Sequence, residues 1–165
     1  MPITPFHFGP GLLLHSVAPR SVSFSALIAA NILIDVESAY FLITGGVPVH
    51  RTLHTFAVAP LAGLAAGWLV YLLWRFLEKR SAFRAPTLSA GLLGGLLGGL
   101  THAVLDGVMH ADMRPFWPFS AANPLLGWTD LVTLHLFCVA TGVIGILVLA
   151  VQQWRGRFEG IQWRS

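Results

Sequence analysis

His50 and His54, four residues apart, and a His102–Asp106–His110 series at the same spacing are the residues of this chain best suited to chemistry. On a helix, positions four apart share a face, so each set can aim its side chains at one point. Asp35 and Glu37 interrupt an apolar run in ILIDVES, and His7 and His135 stand in apolar surroundings of their own. Imidazole and carboxylate together suit a divalent cation, Zn²⁺ first, with Mn²⁺ or Fe²⁺ as further candidates. An ion with an open coordination position lowers the pKa of its bound water to about 7 and so makes a hydroxide nucleophile. A second ion favours phosphoester chemistry, because it holds both the attacking and the leaving oxygen. Each pattern alone also has an ordinary explanation. HxxxH and HxxxD pairs cap helices or orient one another, Glu37 suits headgroups, and His135 on an apolar helix reads as a satisfied core histidine. Asp112 and Asp130 read as solvated or capping groups, Asp130 lying just before a helix start.

Four apolar runs must position these groups: 21–44, 53–77, 87–109 and 131–151. Each is long enough to cross a hydrocarbon core of about 30 Å as a helix. A shorter run, 6–18, cannot span unaided but suits a half-helix packed against the others. The 165 residues are 55% hydrophobic and 10% charged, against about 25% charged in soluble domains, and the mean hydropathy is +0.71. The expectation is an all-α integral membrane bundle of four transmembrane helices plus a short N-terminal half-helix, forming one domain over 1–165. The single cysteine, Cys138, excludes an intrachain disulfide. The first residues, MPITP, lack the basic region of a cleavable signal peptide, so the apolar runs themselves must direct insertion.

The net charge of +3 does not point to nucleic acid, because the basic residues cluster between and after the apolar runs, where topology signals sit. Arg20, the 78–86 link with Lys79, Arg80 and Arg84, and the tail with Arg155, Arg157 and Arg164 are assigned to the cytoplasm, together with the C-terminus. Connections 45–52 and 110–128, with one arginine each (Arg51 and Arg114), then face outward. This topology gives every polar group a depth. His7, Asp35, Glu37, His50, His54, His102, Asp106, His110 and His135 all fall in one outer layer, and His15 is the only histidine outside it. Ionisable groups at such depth are costly and are functional candidates by default. Gly91, Gly95 and Gly99 give the third run a face of small residues, suited to packing inside the bundle or to a homodimer seam. The segment 113–128 reads as an ordered interfacial loop, with Trp117 and Trp128 near headgroups and Trp74 and Trp154 at the other interface.

TPFHFGPG, ILIDVES, HRTLHTF and THAVLDGVMHADMRPFWPFS follow one another over roughly residues 4–126. In this order they resemble the YdjM-like bacterial inner-membrane metal-dependent hydrolases, HRTLHTF and THAVLD most specifically. The sequence departs from that pattern at Ile34-Asp35-Val36-Glu37, where proline and two aspartates are frequent, and at Phe56, where serine is common. The motif order is also similar to that of zinc-dependent phospholipase C and single-strand nucleases. The resemblance implies His7, Asp35, His50, His54, His102 and Asp106 as metal or site residues, with Arg51 beside them, and a multi-pass inner (plasma) membrane location. His110 joins them from its spacing. The resulting expectation is a membrane-embedded hydrolase of a phosphoester or lipid-like ester, using one or more divalent ions, zinc first, and metal-bound hydroxide. Asp35, Arg51 and Asp106 are its catalytic candidates and membrane lipid its surroundings. Two rivals share the same cluster: a metal-ion or proton transporter, and a non-catalytic membrane adaptor with a structural metal.

Overall fold

The computed structural model describes residues 4–78 and 85–156. Lys79, Arg80, Arg84, Arg157 and Arg164, part of the charge pattern above, lie outside the described residues. Five helices follow in order: α1 Phe8–Val17, preceded by a 3₁₀ turn Thr4–His7, α2 Phe24–Thr44, α3 Ala59–Glu78, preceded by a 3₁₀ turn Thr52–His54, α4 Leu88–Met109 and α5 Leu131–Trp154. The four longer ones are long and apolar enough to cross a membrane. Their outward side chains are those a lipid-facing surface requires: Ile43, Val132, Leu136 and Ile146 are all more than half exposed.

Helix ends follow local chemistry. Ser23, Thr87 and Asp130 accept the amides of Ala26, Ala90 and Thr133 and so cap α2, α4 and α5. Gly45 ends α2 with φ +71°, and the amide of Gly46 returns to the Phe41 carbonyl at 2.8 Å.

Close backbone approach sets the packing. Half of α4's apolar window is buried, against 33% for α2, 22% for α5 and 17% for α3, so α4 is the central helix. A Cβ added at Gly95 would strike the Gly63 carbonyl, one at Gly63 the Gly95 carbonyl, and one at Gly67 the Gly91 carbonyl. The four-residue glycine repeat is thereby engaged with α3 inside one chain. On its other side, Gly94 lies against the backbone of Ser23, the cap of α2, and Gly98 against that of Leu27. The short α1 runs along α5, where Gly9 meets the Cys138 carbonyl and Gly145 meets Leu12. The Gln152 amide donates to the Ser16 carbonyl at 2.9 Å.

One expectation about the elements is corrected. The second apolar run does not become a helix from residue 53. Helix α3 begins at Ala59, so His50 and His54 share no helix face. The physical reason is that this backbone finds acceptors elsewhere. Asp112 accepts the amides of Val49 and His50 at 2.8 and 3.2 Å, Glu37 accepts that of Leu53 at 2.9 Å, and the Pro115 carbonyl accepts that of Phe56 at 2.8 Å.

The 111–129 connection is tied to the end of α4. Asn123 donates to the Gly107 and His110 carbonyls, and the Gly127 amide to that of Val108, satisfying the end of α4. Within it Met113 and Pro115 are buried, while Trp117 and Trp128 are exposed.

Overpacking costs about 1–3 kcal/mol when the neighbour can shift, and here the neighbour is backbone. Gly95→Val is therefore expected to lower the thermal midpoint in detergent clearly, whereas Leu93→Val on the exposed face of α4 leaves it nearly unchanged. Equal midpoints for the two would contradict the packing described.

Candidate metal centre

The loop before α3, the distal half of α2 and the end of α4 meet at one end of the bundle. There Asp35, His54, His102 and Asp106 each offer a donor atom, all within 4.8 Å of one another, and together they could hold a metal ion. His54, His102 and Asp106 are at most 2% exposed. His102 Nε2 lies 3.1 Å from Asp106 Oδ2 and 3.4 Å from Asp35 Oδ1, and His54 Nε2 lies 3.5 and 3.8 Å from the same two oxygens. Donors about 2.0–2.1 Å from one tetrahedral ion stand about 3.4 Å apart, so these spacings match a four-ligand cage. Two neutral imidazoles and two carboxylates carry two negative charges, which one divalent ion neutralises.

The imidazoles are held by their other nitrogens. His102 Nδ1 donates to Asn31 Oδ1 at 3.0 Å, and the Asn31 amide nitrogen donates to the Leu27 carbonyl at 2.8 Å, which fixes the way the amide faces. His54 Nδ1 faces Glu37 Oε2 at 3.5 Å. His50 Nδ1 donates to Asp112 Oδ1 at 2.8 Å. A proton held on Nδ1 leaves the Nε2 lone pair for an ion, the usual role of a carboxylate or amide behind a ligating histidine. Ser38 Oγ also reaches His54 Nε2, at 3.1 Å.

Buried atoms at the centre lack hydrogen bonds. His102 Nε2, Asp106 Oδ1 and both nitrogens of His7 have none, although His7 Nε2 is only 3.0 Å from Asp106 Oδ1. Proximity without hydrogen-bond direction is the arrangement of donors converging on a shared cation, and orphaned buried groups otherwise cost about 1–3 kcal/mol each. Outside the helices the electrostatics agree. Burial disfavours a charge on His54, yet Asp35 and Glu37 outweigh it and raise its pKa. The surroundings therefore favour positive charge. Burial, with His50 alongside, lowers the pKa of His110. Asp112 is held low against its partial burial by the ring and amide of His50.

His50 and His110 form a second group with Asp106, their rings stacked with centroids 3.9 Å apart. His110 is the residue just past the last turn of α4 and not part of it. His7, brought in at the start of α1, stacks on His102 at 4.7 Å and belongs to neither group of mutually close donors. Arg51 stands on the wall of a neighbouring pocket, its Nε donating to the Pro48 carbonyl and its guanidinium over the Phe41 ring at 3.5 Å. His135 stays apart. Its Nδ1 donates to the Leu131 carbonyl and its ring meets Phe6 edge-on, so it is satisfied locally, but it is partly exposed and not the core histidine expected. His15 bonds the Val22 carbonyl at the opposite end.

Asn31, Ser38 and the anchoring role of Asp112 have no motif to announce them. Asn31 lies four residues before Asp35, a spacing that places it on the same helix face. Asp112 reaches His50 across 62 residues, a contact no periodicity encodes.

No protein-family model, curated protein or solved structure matches the chain. The resemblance to YdjM-like hydrolases therefore rests on the motifs alone. Loss of a group behind a ligating histidine typically costs about 10–100-fold in metal affinity. If the cage holds a divalent ion, Asn31→Ala is expected to weaken its binding by that factor and His102→Ala to abolish it, both read by competition against a chromophoric chelator. Unchanged affinity in correctly folded Asn31→Ala protein would contradict the anchoring role of that amide.

Proposed function

We propose that the protein is a membrane-embedded metal-dependent hydrolase acting on a phosphoester or a lipid-like ester. The observation that carries this reading is an opening beside the donor cage. A pocket of about 150 Å³ is lined by Pro48, His50, Arg51, Thr52, Thr55, Arg114 and Trp117, so His50 belongs both to the pocket wall and to the donor groups. A purely structural zinc site is closed. This one adjoins a chamber with two arginines, the lining an anionic ester requires.

His54, His102 and Asp106 would hold a divalent ion with a position left for water, and such an ion would acidify that water. The chain's own residues do the rest. Arg51, steadied by Phe41 and the Pro48 carbonyl, and the exposed Arg114 place positive charge where negative charge develops on the ester oxygens. Asp35, whose side chain is 29% exposed where that of Asp106 is 3%, is the carboxylate of the cage nearer solvent and would take a proton from the attacking water. Trp117 and the apolar wall suit a substrate with a lipid portion. Transit across the bundle is the weaker reading, because below His102 the Asn31 amide is tied to Leu27 and Gly94 and Gly98 close directly on α2. The motif resemblance supports the same hydrolase reading, with zinc as the first candidate ion.

Detergent-purified protein is expected to hydrolyse bis(p-nitrophenyl) phosphate or a fluorogenic phospholipid after zinc loading. Activity should fall to background on chelation and in His102→Ala and Asp106→Asn, and Arg114→Ala should raise KM several-fold with a smaller change in kcat. A zinc-loaded, folded protein inert towards phosphodiesters, phosphomonoesters and carboxylic esters alike would overturn the reading.

A further inference from the structure

We infer that the cleft between α1 and α5 is a binding site for one acyl chain of a membrane phospholipid. The site is separate from the donor cage and stands or falls independently of the hydrolase reading.

Helix α5 packs chiefly on the short α1 and the turn before it. The two helices touch through glycine. A Cβ on Gly9 would strike the Cys138 carbonyl, and one on Gly142 would lie 3.3 Å from the Gly9 Cα. Larger residues flank this line of contact and form the walls of a valley beside it. Phe8 and Leu12 stand on one wall and Val139, Val143 and Ile146 on the other, each set at the three- and four-residue spacing of one helix face. Phe24, the first residue of α2, completes the lining. The cleft encloses about 350 Å³.

Continuity, chemistry and size select the occupant. Helix α5 is long and apolar enough to cross a membrane, and Val139, Val143 and Ile146 are at least half exposed on it. The cleft therefore opens on the face that lipid would cover. Every described residue of the lining is uncharged, so the cleft takes hydrocarbon and leaves a polar head outside it. Nothing in it pairs with the carboxylate of a free fatty acid. From Cys138 to Ile146 the lining runs about 12 Å along α5, most of the roughly 15 Å depth of one hydrocarbon leaflet. Over that length a second helix, about 10 Å across, fills about 900 Å³, whereas one alkyl chain, roughly 4–5 Å across, fills about 200 Å³. The volume admits the chain and refuses the helix of a second copy. Left unfilled, the walls would forfeit their dispersion contacts on that side. A seated chain also supplements the hold of α5 on α1, a ten-residue helix that cannot span by itself.

The test uses the full chain, delipidated in detergent and titrated with dioleoylphosphatidylcholine, with bound lipid read by native mass spectrometry. One lipid is expected to bind ahead of any others. Val143→Trp, which fills the cleft from its exposed wall, is expected to weaken that binding at least tenfold. Leu147→Trp, exposed on the same helix but outside the lining, is expected to leave it unchanged. An unaltered thermal midpoint of lipid-free Val143→Trp checks that this variant folds. The unaltered protein supplies a second measurement in dioleoylphosphatidylcholine vesicles, where a phosphatidylcholine with a diazirine midway along one chain is expected to label 5–12 and 138–146 above all other segments. Equal binding by the two variants, or label spread evenly over the exposed faces of α3 and α5, would overturn the inference. So would oleic acid binding as tightly as the phospholipid, which would assign the cleft to a free fatty acid, or a dimer that Val143→Trp dissociates, which would assign it to a second copy.

Discussion

The carboxylate of Asp106 is the constraint around which this end of the bundle is arranged. It is buried in the central helix, at a depth where an unpaired charge is costly. Its four neighbouring imidazoles, His7, His54, His102 and His110, come from three separate stretches of chain. Hydrogen bonds do not satisfy its Oδ1. Removing the cost by neutral packing would need an apolar side chain there, and none is present. A cation held there would resolve it, and the surrounding amide and carboxylates hold the imidazoles in the orientation that a cation requires.

Glycine makes this convergence geometrically possible. Helix α4 carries the His102–Asp106 pair, and it can bring that pair between α2 and α3 only if the backbones nearly touch. Gly91, Gly95 and Gly99 on one side, and Gly94 and Gly98 on the other, allow that approach. The short α1 is held against α5 by the same device at Gly9 and Gly145, which places His7 over Asp106. Small residues at one level thus determine where reactive residues meet at another.

The loops are built by the same polar groups that build the site. Asp112 and Glu37 each accept backbone amides of the 49–53 segment and each face a histidine ring. One carboxylate therefore shapes the loop and fixes an imidazole at once. The loop cannot rearrange without disturbing the donors, and the pocket that this loop forms with Arg114 and Trp117 is tied to the cage for the same reason.

The amino-acid sequence by itself determined the four apolar helices, the half-helix before them and the gathering of histidines and acids at one end, because apolar length and the order of residues along antiparallel helices decide depth. It also placed His102 and Asp106 on one face, since helical spacing is local. Tertiary structure decided the rest. His50 and His54 come together through a loop and not a helix face, because distant carboxylates capture its amides. Asp112, readable as solvated, becomes the anchor of His50 across 62 residues. His135, at the same depth as the others, turns to its own backbone and Phe6. Depth is written in a run of residues, but direction around the bundle axis depends on which helices touch, and only close packing settles that.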